Sequence, residues 1–183
     1  MYFGIYGIKT YYMALKFISG SDHYSEVLAR VESVRRTLWI GTADIKDLYV
    51  GTGDNIRPFL GVVSDLLKRG VEVRLIHAKE PGQRFREDFD RYPLLAAGLE
   101  RVLCPRVHFK IIIMDLETAY IGSANLTGAG MGIKSPGRRN FEAGILTDDA
   151  ALVDAAIEEF DCVWRGGYCG GCGRREFCID PIV

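Results

Sequence analysis

The stretch VHFKIIIMDLETAYIG, residues 107–122, constrains the fold more than any other part of the chain. Two runs rich in β-branched and aromatic residues flank a polar break at 115–117, the pattern of two strands joined by a tight connection. Successive side chains of a strand point to opposite faces, so His108, Lys110 and Ile112 share one side and Phe109, Ile111 and Ile113 the other. The second set is large and apolar and is expected to face a core. The first puts an imidazole beside an ammonium, which a strand buried in a closed core has no use for.

At 183 residues the chain has the length of one domain, enough for a sizeable core. With 48% hydrophobic and 26% charged residues, its composition is globular and excludes a disordered chain. Strand patterns at about 2–8 and 14–19 precede a helical period from about 23 to 35, carried by Tyr24, Val27, Leu28, Val31 and Val34. TLWIGTA (37–43) reads as a buried strand. Ile56, Phe59, Leu60, Val63, Leu66 and Leu67 then form one helical face, with Pro58 in the first turn and Gly70 past the last. VEVRLIHA (71–78) is a strand, and a polar helical stretch runs from about Pro81 to 99. Further strands are expected at 107–114, 118–122 and 141–147. TDDAALVDAAIEEFDCVW (147–164) is a capped helix with Val153, Ala156, Ile157, Phe160 and Trp164 on one face. Strands alternating with helices imply an α/β sandwich around a mixed sheet.

Gly122, Ser123 and Asn125 close the second strand of the opening stretch, and Ser123 and Asn125 are again i and i+2. When the two strands pair, His108, Lys110, Ser123 and Asn125 converge. A nucleophile or base, a fixed cation and two neutral hydrogen-bonding groups suit a phosphate. The pattern His108-x-Lys110-x4-Asp115-x6-Gly122-Ser123-x-Asn125 resembles the HKD signature of the phospholipase D superfamily at all six fixed positions. As element order, the resemblance extends over roughly residues 12–165. It implies a phospholipase D-like α/β sandwich in which His108 attacks phosphorus and forms a phosphohistidine. Lys110 and Asn125 would hold the non-bridging oxygens, with Ser123 in support and no metal required. Asp115 looks less like an acid–base group than a residue fixing the turn. Glu142, in RRNFEAGIL, matches the glutamate that single-motif nucleases of this superfamily set against the imidazole, where it would fix the tautomer and raise basicity. The plainer readings are a satisfied core histidine, a snorkelling lysine and an exposed carboxylate at a strand start.

The superfamily's chemistry uses two histidines, one attacking and one protonating the leaving oxygen. His77-x-Lys79 imitates a second motif, but Arg84 stands where the aspartate belongs and no GSxN follows; His23 belongs to a helix start. One motif per chain therefore implies a homodimer with the cleft on its two-fold axis. Single-motif short chains of the superfamily are mostly nucleases, so nucleic acid, DNA or RNA, is the expected substrate. A net charge of −1 leaves binding to local basic patches. Lys134, Arg138 and Arg139, in LTGAGMGIKSPGRRN, read as a flexible basic loop at the cleft rim, suited to a phosphodiester backbone. The alternatives are a phospholipase or phosphatidyl transferase, and a nucleic-acid-binding module without catalysis.

Four of the five cysteines crowd into the end of the chain as Cys162-x6-Cys169-x2-Cys172-x5-Cys178. Four thiolates this close can surround one centre, and the glycines between them permit a tight wrap. The spacing resembles the iron–sulfur loop of endonuclease III-type glycosylases, while CGGCG looks like a zinc knuckle. A structural [4Fe–4S] cluster is the preferred expectation and zinc the alternative. Arg165, Arg174 and Arg175 make this loop positive, and Cys104 reads as a small core residue. The expected organisation is a catalytic domain over 1–161 and a metal-binding tail over 162–183. No apolar run is long enough to span a membrane, and MYFGIYGIKTYYMALKF reads as strand and not as a signal peptide, so the expected compartment is the cytoplasm.

Overall fold

The computed structural model describes residues 15–51 and 56–179, and the strand expected at 2–8 lies outside them. Along the chain come β1 (Leu15–Ser19), β2 (Thr37–Thr42), the short pair β3 (Tyr49–Val50) and β4 (Arg57–Pro58), α1 (Phe59–Lys68) and β5 (Glu72–His77). Then follow α2 (Gln83–Asp90), α3 (Pro93–Gly98), β6 (Leu99–Leu103), β7 (Lys110–Met114), β8 (Thr118–Gly122), β9 (Ala143–Thr147) and α4 (Ala150–Trp164). Seven strands form one mixed sheet in the order β1-β9-β8-β7-β2-β5-β6. The β2–β5 and β5–β6 neighbours are parallel and the rest antiparallel.

The sheet is covered on both faces. One core combines Ile40, Ile112, Met114, Tyr120 and Leu146 with Leu60, Val63 and Leu66 of α1, Leu95 of α3, and Val27, Leu28 and Val31. The other gathers Trp39, Ile76, Ile111, Ile113 and Ala119 against Val153, Ala156 and Phe160 of α4. Both sides of β7 are therefore apolar beyond its first residue. The Phe109/Ile111/Ile113 side faces a core as expected, and Ile112 and Met114 on the other side face a second one, because helices occupy both faces of a mixed sheet.

Local departures have identifiable causes. The helix expected over 23–35 is a wide π turn at His23–Leu28 running into a 3₁₀ turn at Ala29–Ser33. Ile56 stays outside α1 and is exposed, because Pro58 is the extended N-cap of that helix, which begins at Phe59, and Arg57 before the proline is in the short strand β4. Gly70 takes the left-handed conformation (φ 81°) expected after a helix. The polar helix expected over 81–99 breaks at Tyr92–Pro93 into α2 and α3 and is followed by β6, a strand with no alternating pattern. β6 is an edge strand held by parallel pairing to β5, and exposed Glu100 and Arg101 at its middle interrupt the apolar residues Leu99, Val102 and Leu103. At α4 the Asp149 carboxylate accepts the Leu152 N–H at 3.0 Å, the capping read from TDD.

Candidate active site

Three adjacent strands bring the motif to one end of the sheet. Lys110, the first residue of β7, is paired with Gly122, the last of β8, and Gly122 with Gly144 of β9. His108 precedes β7 by two residues, Ser123 and Asn125 follow β8, and Glu142 immediately precedes β9. The ladder thus starts later than the expected strand at 107, leaving His108 free of the sheet's hydrogen bonding. His108 is exposed while Lys110 is buried. The Lys110 ammonium lies 3.2 Å from Nδ1 of His108 and donates to the His108 carbonyl oxygen at 2.5 Å. An ammonium only donates, so in this contact Nδ1 is the acceptor. Burial pushes the Lys110 pKa below its ordinary value, and the Glu142 charge works against that shift.

Each neutral group is fixed by the strand end that carries it. Asn125 Oδ1 accepts the Asp44 N–H at 3.1 Å and lies 3.4 Å from the Thr42 oxygen, so the amide nitrogen is the end left to donate elsewhere. The Thr42 hydroxyl donates to the Asp44 carbonyl at 2.9 Å and accepts the Leu126 N–H. Ser123 donates to Glu142 Oε2 at 2.5 Å and accepts the Ala143 N–H at 3.1 Å, tying β8 to β9. The other Glu142 oxygen accepts from Asn140 at 3.1 Å. Within one chain the carboxylate thus serves Ser123 and Asn140, and the imidazole meets Lys110 in its place.

Gly122 is required by close approach. A Cβ there would stand 2.3 Å from the Tyr120 hydroxyl and 2.8 Å from the Ala143 carbonyl oxygen. Tyr120 is fully buried, and its hydroxyl accepts the Ala124 N–H at 3.4 Å inside the motif. Burial raises its pKa to about 12. Thr42, Asp44, Tyr120 and Asn140 were not singled out by sequence reasoning; only the position of Thr42 and Asp44 at the carboxyl end of a parallel strand could have signalled them.

Asp115 is not brought to the site. It lies at the opposite end of β7, roughly 16 Å from Lys110 at a strand's rise per residue. Asp115 and Leu116 both have left-handed backbone (φ 55° and 58°), costly for residues other than glycine. Its carboxylate accepts the N–H groups of Arg35, Arg36 and Thr37 at 2.6–3.2 Å and so holds the turn. Burial works to raise its pKa, but those N–H groups and the Arg36 charge outweigh it, leaving the carboxyl below its usual range.

The segment expected as a flexible basic loop is packed at its start and exposed over 133–138. Met131 is fully buried, and Gly130 packs against the Asn125 carbonyl where a Cβ would come within 2.5 Å. Lys134 and Arg138 are exposed, and Arg139 donates to the Lys134 carbonyl. His77 is buried, its Nδ1 2.8 Å from the Lys79 carbonyl. Lys79 pairs with Asp44 at 3.2 Å, which puts this imitation motif at the edge of the site.

Of the tail cysteines, Cys162 lies in the last turn of α4, and Cys169 and Cys172 line a cavity with Cys104. Cys178 Sγ lies 4.0 Å from the Leu103 carbonyl oxygen. Among the described residues, no three histidine, cysteine or carboxylate side chains are gathered closely enough to hold a metal ion.

The molecule resembles solved structures of known proteins. NucT from Helicobacter pylori matches with a TM-score of 0.61 at 15% identity, over 82% of this chain and 94% of its own. Nuc from Salmonella typhimurium, a phospholipase D family member, matches with a TM-score of 0.62 at 17% identity, over 84% and 95%. TrmBL2, an archaeal chromatin protein, matches with a TM-score of 0.57 at 16% identity, over 86% of this chain and 54% of its own. At such identities the likeness is one of fold. No curated protein matches the sequence. A family model described as "Cardiolipin synthase, PLD-like domain" matches residues 28–164, most of the chain, and with the HKD motif in place on the matching fold the chain belongs to the phospholipase D-like family.

Proposed function

We propose that the protein is a metal-independent phosphodiesterase of the nuclease type, working as a homodimer through a phosphohistidine. The observation that carries this reading is the exposed His108 imidazole held beside the buried Lys110 ammonium at the open end of the sheet. An imidazole nitrogen of His108 attacks phosphorus, a P–N bond forms and one P–O ester bond breaks. The leaving oxygen takes a proton from His108 of a second copy. Water then attacks phosphorus, the P–N bond breaks, and the second histidine takes the water's proton. Lys110 and the Asn125 amide nitrogen hold the non-bridging oxygens, whose charge grows as the nucleophile adds. The nucleophilic nitrogen must be unprotonated, so the other needs an acceptor for its proton. The Glu142 carboxylate, poised at the same end by Ser123 and Asn140, is the group suited to this.

Half a site per chain calls for a second copy, and the surface offers a place for one. Phe17, Ile145 and Ile121 lie side by side across β1, β9 and β8, each exposed (69%, 40% and 36%), on the same sheet face as α4, which packs farther along over β7 and β2. A contiguous apolar strip of this kind is typical of a protein contact. Lys134, Arg138 and Arg139 are proposed to follow a phosphodiester backbone beside the cleft.

Phosphodiester cleavage of DNA and RNA oligonucleotides in EDTA tests the reading. Cleavage is expected to continue without added metal and to vanish in His108→Ala. A strict requirement for added Mg²⁺, or activity surviving His108→Ala, overturns it. A second reading, the same chemistry on a phospholipid, is favoured by the fully exposed Phe141 next to Glu142 and by exposed Ile133. Release of headgroup from phosphatidylglycerol vesicles, with oligonucleotides left intact, would establish that reading. No described helix is long and apolar enough to cross a membrane.

A further inference from the structure

We propose that Cys162, Cys169, Cys172 and Cys178 hold one thiolate-bound metal centre, and that this centre clamps the segment 103–109 that presents His108. The clamp's effect on cleavage rests on the role proposed for His108; the centre itself does not.

The tail cannot be held by a core. From 165 to 179 no residue is buried, and Tyr168, Phe177 and Ile179 are exposed. In that stretch Gly166, Cys169, Cys172 and Cys178 alone are half-buried. The inward-facing side chains of the tail are thus its cysteines. Its backbone hydrogen bonds are short-range turns, Gly167 to Cys162, Cys169 to Gly166, Cys172 to Cys169 and Cys178 to Arg175. Ordering each residue costs about 1–2 kcal/mol, which turns alone do not offset. Short segments without a core are ordered by cross-links or metals.

What the cysteines face is the approach to His108. A cavity of about 220 Å³ has Cys104, Arg106, Val107 and Phe109 on one wall and Val163, Tyr168, Cys169 and Cys172 on the other. Cys178 adds the contact to Leu103 at the end of β6. Between β6 and β7 the backbone hydrogen bonds are Cys104 to His77 and Val107 to Cys104, so the seat of His108 depends on what packs behind it.

The donor set fits a soft centre, a single zinc ion or a [4Fe–4S] cluster, both of which take four thiolates. The thiols are not yet gathered, so the loop must close by a further turn. Five glycines lie between 166 and 173, and a Cβ at Gly170, Gly171 or Gly173 would meet nothing within 4 Å. Packing does not demand glycine at those three positions; a tight wrap about a centre does. Cys104 is on the opposite wall and is not needed as a ligand.

The test is metal analysis and visible absorbance on anaerobically purified protein, with hydrogen–deuterium exchange before and after metal removal. About one zinc, or about four irons with absorbance near 400 nm, is expected per chain. Either should be lost in Cys169→Ala and Cys172→Ala and kept in Cys104→Ala. Exchange of peptides covering 103–109 should rise at least about tenfold on metal loss, while β2 and β5 stay protected. Absence of stoichiometric metal, metal loss in Cys104→Ala, or unchanged exchange at 103–109 overturns the proposal. A metal-bound protein showing this coupling but cleaving no phosphodiester would leave the clamp standing and sink the nuclease reading alone.

Discussion

Lys110 concentrates the cost of the site in one residue. A buried ammonium whose nearest partners are a carbonyl and an imidazole is unfavourable for the fold and useful for a phosphate. Lys110→Met should lower cleavage at least about 10²-fold while leaving stability unchanged or raising it by about 1 kcal/mol. Urea denaturation beside steady-state rates checks both. The pH behaviour follows from the same burial. The folded value lies below the ordinary one near 10.4, so between the two the unfolded chain holds the proton more strongly. Stability from this residue therefore improves as pH rises through that window, while cleavage falls with the loss of the cation. Lys110→Met should abolish that part of the stability slope; an unchanged slope would count against it. His108, Lys110, Ser123 and Asn125 were legible in the sequence because they stand at fixed spacing about the ends of two apolar runs, although Lys110 alone of the four lies inside a strand. Tyr120 was not, since a buried tyrosine in a strand looks like any core aromatic until its hydroxyl is seen under Gly122.

Among elements, the β7–β8 hairpin carries opposite demands at its two ends. At the turn, two left-handed non-glycine residues are offset by the Asp115 carboxylate's bonds to the 35–37 backbone. Asp115→Asn should destabilise by about 1–3 kcal/mol, with kcat of the folded fraction retained. A selective loss of kcat at full stability would instead give Asp115 a part in the chemistry. At the site end, Gly122→Ala must push against both Tyr120 and the Ala143 carbonyl. A loss of about 1–3 kcal/mol is expected, together with a fall in kcat as Ser123 and Asn125 are displaced. Thermal melts and rates on one preparation decide this. Strand order along the chain was largely readable from periodicity. β6 was not, because exposed Glu100 and Arg101 interrupt its apolar residues.

For the whole molecule the prediction concerns assembly. Replacing Phe17 and Ile145 together by glutamate puts charge into the bare strip without touching either core. The double variant should keep its fold by circular dichroism, run as a monomer by light scattering, and lose cleavage because each chain holds one His108. A monomer of full activity would refute the shared cleft.

The sequence by itself determined the α/β class, the hairpin and the six positions of the motif, because alternation and fixed spacing are local properties of a strand. Only the tertiary structure decided that the first part of the loop, through Met131 and Gly132, is packed while 133–138 is exposed, and that Glu142 meets Ser123 within one chain. It also set the cysteine tail against the approach to His108. Those outcomes depend on which strand ends and chain segments become neighbours, and sheet order brings together residues that no local spacing connects.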